Sequence, residues 1–348
     1  MAICAVGIYL HSSYTTAQNL PPTDLSLDSP NISENSDVGT SLAKLEIQDP
    51  DFARIQKISC GSHTLFLMDN GALWGMGKNN EGQLGDGTNE NRPNPHRIFE
   101  SDSSDIAAGV SHSLVLKSDG SLWTFGSNQY GQLGDGTTAS KNEPVLIIEG
   151  GVKKVWAGGN HSLILKDDDT LWGFGANDQG QLGNGTTQHI QTPIHIADNV
   201  ATVAAMGSHT LYINKIGELW GMGSNSSGQL GDGTRLNRLT PIKIIENGVE
   251  LIACGGSHTL FTLDGGQLWA MGNNSHGQLG DGTYDGRLEP VKILDADVTF
   301  IEARASNSIF VKEDGSLWAM GVNNRGQIGD GTKEKRNQPT LVVNENVE

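Results

Sequence analysis

Residues His112-Ser113-Leu114-Val115-Leu116-Lys117-Ser118-Asp119-Gly120-Ser121-Leu122-Trp123-Thr124-Phe125-Gly126 read as two short apolar runs around an Asp-Gly turn. Asp-Gly supplies the positive backbone angles of a tight hairpin, so the spacing predicts two antiparallel strands. A Gly-rich bend follows, Gly131-Gln132-Leu133-Gly134-Asp135-Gly136-Thr137, then a polar loop and a third apolar run, Pro144-Val145-Leu146-Ile147-Ile148. Val155-Trp156-Ala157 leads into the next histidine, His161. The period therefore holds four short strands.

The phrase recurs along the chain: LWGMG at 73–77, LWTFG at 122–126, LWGFG at 171–175, LWGMG at 219–223, LWAMG at 268–272 and LWAMG at 317–321. A fixed period of 48 to 49 residues marks a repeat architecture, and four strands per period make a propeller blade. The fold expected is all-β, a closed β-propeller of six four-stranded blades over residues 52–348. Val347 falls in the same phase as Ile55, so Leu341-Val342-Val343 is expected to complete the blade opened by the N-terminal strands. Seven blades, or a truncated array, is the alternative count.

Composition agrees with many short strands and tight turns: 46 Gly, with charged residues only 18%. The net charge of -17 repels a phosphate backbone, which excludes nucleic acid as the expected partner. No stretch is long enough to span a membrane. Cys4, Cys60 and Cys254 do not make a disulfide framework; Cys60 and Cys254 hold one repeat position where the other repeats carry Ala.

Residues that recur in every blade are assigned to the scaffold first. Trp74, Trp123, Trp172, Trp220, Trp269 and Trp318 are expected to fill equivalent spaces between blades. His63, His112, His161, His209 and His258 stand at one position, with Asn307 in the sixth place. Asn replaces a hydrogen-bonding imidazole more readily than a zinc ligand, so these histidines read as structural. The glycines of GQLGDGT have a turn role; no GK[ST] follows, and the ligand spacing of a calcium loop is missing.

Residues that vary from blade to blade are free for recognition. One set precedes GQ and includes Tyr130, His276 and Arg325; the other follows GDGT and includes Arg235, Tyr284 and Arg287. Loops on a rigid ring are natural recognition sites, and Tyr and Arg are frequent interface anchors. These six are the expected partner-binding residues. No catalytic set is assembled: Asp86, Asp135, Asp232, Asp281 and Asp330 are repeated turn residues, and Asn184 replaces one of them.

The repeated phrase AG-x-x-HSL-x-L-x-x-DG-x-LW-x-x-G-x-N-x-x-GQLGDGT resembles the repeats of the regulator of chromosome condensation family. The resemblance implies a propeller used for protein recognition. The family's namesake exchanges guanine nucleotide on a small GTPase, and a secreted relative inhibits an enzyme; both remain alternatives here, beside a propeller hydrolase or lyase. The even spacing leaves no insertion for an exchange wedge, and residues 1–51 hold one basic residue, Lys44, where a chromatin-docking tail would be basic.

Residues 20–51 resemble the first half of a bacterial cadherin-like repeat, in Ile32-Ser33-Glu34-Asn35 and Asp49-Pro50-Asp51. That resemblance implies calcium ligands at Glu34, Asp49 and Asp51, with no other cofactor expected. It also implies an extracellular or cell-surface setting, the alternative being cytoplasmic. Residues 1–19 suit a short export signal or leader. The reading is a monomeric, non-catalytic scaffold that binds a protein.

Overall fold

The computed structural model describes residues 53–344. They form six four-stranded antiparallel sheets, each built from four consecutive strands, which together make a six-bladed propeller. Blade 1 comprises β1 (Ile55–Cys60), β2 (His63–Met68), β3 (Leu73–Gly77) and β4 (Arg92–Phe99). Blades 2 to 6 repeat the order, with β5–β8 over 103–148, β9–β12 over 152–197, β13–β16 over 200–245, β17–β20 over 249–294 and β21–β24 over 298–343. The first strand of each blade is innermost, since β5 lies against β1 and β9, and β17 against β13 and β21.

The expected hairpin is present: Leu116 pairs with Leu122 and His112 with Gly126, and the turn between them places Gly120 at φ 80°. The expected seam is not. Leu341 pairs with Trp318 inside the sixth sheet, so the last strand completes its own blade and not the first. The repeat phase was read correctly, but phase says only that four strands recur; it does not say which sheet the final one joins.

Adjacent blades are joined by apolar interfaces of one design. Between blades 2 and 3, Leu114, Leu116 and Leu122 of one meet Val152, Val155, Ile164 and Phe174 of the next. The same pattern of leucines against an aromatic or methionine recurs at the junctions of blades 1–2, 3–4, 4–5 and 5–6. Phe174 and its equivalents Phe125, Met222, Met271 and Met320 are fully buried. Gly134 (φ 76°) lies so close to the Phe174 ring that an added Cβ would sit 2.9 Å from it, which accounts for the second glycine of GQLGDGT.

The tryptophans do line these junctions. Trp123, Trp172, Trp220, Trp269 and Trp318 are each partly buried against one of the five clusters. Their indole N–H groups mostly donate to the side chain two residues back, Ser121 (3.1 Å), Thr170 (2.8 Å), Glu218 (3.1 Å) and Ser316 (2.8 Å). Trp74, on blade 1, belongs to no such cluster among the described residues and lies under the Arg97 guanidinium, 5.7 Å from its ring. No helix among the described residues is long and apolar enough to cross a membrane.

Candidate functional site

The recurring polar residues are consumed inside the ring. His63 Nε2 lies 2.7 Å from Ser113 Oγ of the next blade, and that hydroxyl donates to the Gln83 carbonyl at 2.7 Å. A hydroxyl has one proton, so each such histidine donates from Nε2. His112–Ser162, His161–Thr210 and His258–Ser308 repeat the bond at 2.8 to 3.0 Å; His209–Thr259 is longer, 3.4 Å. Burial pushes His63, His112, His161 and His258 down to about 3 and His209 to about 4, so all five are neutral in the fold. The histidines thus bolt one blade to the next. No group of three or more His, Cys, Asp or Glu among the described residues is placed to hold a metal ion. Cys254 is a free, buried thiol whose titration burial pushes far upward.

The Gly-rich bend is held by two residue types whose roles sequence reasoning missed. Asn128 is fully buried; its amide donates to Asp135 Oδ1 (2.9 Å) and the Thr137 carbonyl (3.1 Å), while its oxygen accepts from Leu133 N (2.9 Å). Asn79, Asn177, Asn225, Asn274 and Asn323 repeat this. Gln132, also fully buried, accepts the backbone N–H of Tyr130 at 2.8 Å. The equivalent glutamines hold the backbone of His276 (2.9 Å) and Arg325 (2.8 Å) in the same way. The signal was present as the unvarying Asn and Gln of G-x-N-x-x-GQ.

The turn aspartates are equally engaged. Asp86 is held down to about 2: burial works upward, but hydrogen bonds from Thr88, Arg92 and Asn79 outweigh it. Arg92, Arg238, Arg287 and Arg336 pair with Asp86, Asp232, Asp281 and Asp330 at 2.5 to 2.6 Å. Arg287 is therefore tied to Asp281 within its own loop.

The variable residues share one face. The loops following each third strand carry them, and the turns between first and second strands lie beside those loops, Ser127 N bonding to the Ser111 carbonyl and Ala176 N to the Asn160 carbonyl. Tyr130 stands between two hollows on this face. The larger, about 510 Å³, is lined by Glu81, Ser111, Gln129, Tyr130, Thr138 and Asn160. The smaller, about 210 Å³, lies on the other side of Tyr130, against Asp178 and His189. The Tyr130 and His189 rings meet edge to face, 5.0 Å apart.

His276 and Arg325 are exposed on the same face but in blades 5 and 6, away from Tyr130 in blade 2. Tyr284 is 43% exposed beneath Lys335 Nζ, 4.0 Å from its ring. Arg235 donates to the Ser226 carbonyl at 2.9 Å, beside Leu236, which is 65% exposed and which the sequence reading did not select. The structure thus places Tyr130 beside two hollows, and sets Arg235 with Leu236 in blade 4 and Tyr284 in blade 5, each on its own loop. Glu34, Asp49 and Asp51, and the leader at 1–19, lie outside the described residues.

Comparison with known proteins agrees with this architecture. The profile of the RCC1-like domain matches residues 35–348. The chain belongs to the RCC1-like domain family. Among solved structures, human WBSCR16 is similar at 26% identity, over 84% of this chain and 82% of that one, with a TM-score of 0.75. Yeast Prp20, solved bound to Kap60, is similar at 20% identity, over 85% of this chain and 76% of that one, TM-score 0.76. Prp20p of Saccharomyces cerevisiae, studied for its binding to Gsp1p and histones, gives 21% identity, 83% and 77% coverage and a TM-score of 0.72. At 20 and 21% identity the Prp20 structures support the fold alone. No curated protein matches the chain.

Proposed function

We propose that this RCC1-like propeller is a non-catalytic protein-recognition module whose contact face is the loop face around Tyr130. The observation that carries the reading is the division of labour in the repeat. The His, Asn, Gln and Asp that recur from blade to blade are spent on internal hydrogen bonds, while a buried glutamine, Gln132, holds the backbone of Tyr130, a residue that varies. Tyr130, flanked by hollows, offers an amphipathic anchor on a rigid support. His276, Arg325, Arg235 and Tyr284 extend the face, and Arg287 braces its loop through the ion pair with Asp281. The acidic balance favours a protein partner with a basic patch over nucleic acid. A monomer outside the cell or at its surface, with Glu34, Asp49 and Asp51 as its calcium ligands, is part of the same proposal and rests on the N-terminal sequence.

The test is capture of partners from the source culture by wild-type protein and by a Tyr130→Ala, His276→Ala, Arg325→Ala triple variant. The variant should lose the partner and keep its melting temperature; equal capture by both would contradict the face assigned. Accelerated release of labelled GDP from a small GTPase would replace the reading by nucleotide exchange. Turnover of a glycan or ester abolished by one acidic substitution would replace it by catalysis.

A further inference from the structure

The repeat is broken in two places. One is the junction of blades 6 and 1, where Asn307 bonds inside its own blade to the Val322 carbonyl (2.7 Å) and Arg304 Nη2, in place of a histidine, donates to the Gly61 carbonyl of blade 1 (3.1 Å). The other lies in the loops of blades 1 and 2, at the buried glutamine of each. In blades 3 to 6 that glutamine spends its Nε2 on a side chain of its own loop: Gln181 on Asp178 (3.3 Å), Gln229 on Ser224 (3.1 Å), Gln278 on Asn273 (3.1 Å) and Gln327 on Asn324 (3.0 Å). Gln83 and Gln132 are fully buried, yet their Nε2 groups have no hydrogen-bond partner among the described residues. A buried donor left unpaired costs stability, and departures of that kind belong where function asks for them.

The two blades that forgo the bond are the two whose loops wall the larger hollow. Glu81 comes from blade 1, Gln129 and Tyr130 from blade 2, and Asn160 from blade 3. Gln129 stands at the repeat position of Asp178 and Asn324, two of the residues that elsewhere hold the glutamine. In blade 2 it is exposed, and its side chain makes no hydrogen bond among the described residues. The side chains of Ser111, Tyr130, Thr138 and Asn160 are likewise unspent among the described residues. The lining holds no Lys or Arg, so an anionic ligand finds no counter-charge there. Its one large apolar surface is the Tyr130 ring, so an apolar ligand would strand the hydroxyls and amides. A cation would meet Glu81 and leave the donors unused. Hydroxyls and amides each donate and accept, and the ligand that answers them group for group is rich in hydroxyls itself.

We propose that this hollow binds a neutral saccharide, with one sugar ring against Tyr130 and the sugar hydroxyls on Gln129, Asn160, Ser111 and Thr138. Tyrosine suits the place because it pairs an apolar body with a polar tip. Glu81 accepts from a further hydroxyl, and about 510 Å³ lies within the range of small-ligand sites. The site rests on the Tyr130 contact face proposed above and names the chemistry that face takes, whether the sugar is free or carried on a partner protein.

Saturation-transfer NMR on the full chain with cellobiose, lactose, mannobiose and chitobiose tests this. At least one should bind with a Kd of about 1 mM or tighter. Asn160→Ala should weaken that binding about tenfold or more and leave the melting temperature within about 1 °C. Gln129→Asn installs the residue that pairs with the glutamine in blade 6; it should raise the melting temperature by about 1 to 3 °C while weakening the sugar by a similar factor. Displacement of a captured partner by the sugar would identify a glycan carried on that partner, and binding without displacement a free saccharide; both support the site. No transfer to any of the four sugars, or equal affinity in Asn160→Ala, would overturn the proposal. A Tyr130, His276, Arg325 triple variant that still lost its partner would then leave protein recognition standing without a sugar.

Discussion

Acidification from pH 7 to pH 5 should unfold this propeller through its five buried histidines. Each titrates near 6.5 when unfolded and near 3 to 4 when folded, so in this window the unfolded chain binds more protons and stability falls as pH falls. Their contribution is fully present above about pH 6.5 and is lost progressively on the way down toward 4. Each costs about 1.4 kcal/mol per pH unit once the unfolded form is charged, and about 2 kcal/mol between pH 7 and 5. Glu302, pushed up to about 7 by its crowded surroundings, works the opposite way by at most one proton, and less because its side chain meets solvent. The net loss is then about 7 to 9 kcal/mol, comparable to the whole stability of an ordinary domain. Urea unfolding followed by circular dichroism at half-unit steps of pH measures the slope. His112→Asn, which copies the residue at position 307, should lower that slope by about one fifth. A urea midpoint that does not move between pH 7 and 5 would refute the reasoning, because the histidines would then be accessible to protons in the fold.

Other substitutions read single parts of the scaffold. Asn128→Ala leaves Asp135, Thr137 and Leu133 without their shared buried partner and should cost about 2 to 4 kcal/mol in chemical unfolding. Gly134→Ala combines a positive φ with a clash against Phe174 and should lower the melting temperature by several degrees, whereas Gly151→Ala, also at positive φ but in open space, should cost less. Tyr130→Phe should leave stability within about 0.5 kcal/mol, because the half-buried ring keeps its contact with His189; partner capture measured beside it shows whether the hydroxyl is read.

The blades were legible because each carries its own hairpin signal. Asp119-Gly120 and the apolar runs beside it define two strands with no reference to the rest of the chain. Counting equivalents led to the histidines, which do bind blade to blade, and to five of the six tryptophans, Trp74 standing outside the inter-blade clusters of the described residues. Asn128 and Gln132 were passed over because amides in a Gly-rich bend read as loop polarity, and only three-dimensional closure shows them buried. Arg287 read as a free anchor because its partner Asp281 lies six residues back in a loop whose path the sequence does not give. The seam failed for a related reason: a strand at the right phase can finish either blade, and pairing decides. Asn307, Glu302 and Arg304 were the departures from the repeat that marked the unlike junction.

The central claim, a ring with five equivalent apolar junctions and one of different construction, is tested most directly by a matched pair of truncations. Met271 is fully buried between blades 4 and 5, and Met76 holds the same repeat position facing blade 6 while only half-buried. Measured by urea unfolding at pH 7.5, Met271→Ala should cost about 2 to 5 kcal/mol and Met76→Ala no more than about half of the Met271 value. Equal costs at the two positions would contradict the account, since Met76 would then be packed as tightly as its equivalents.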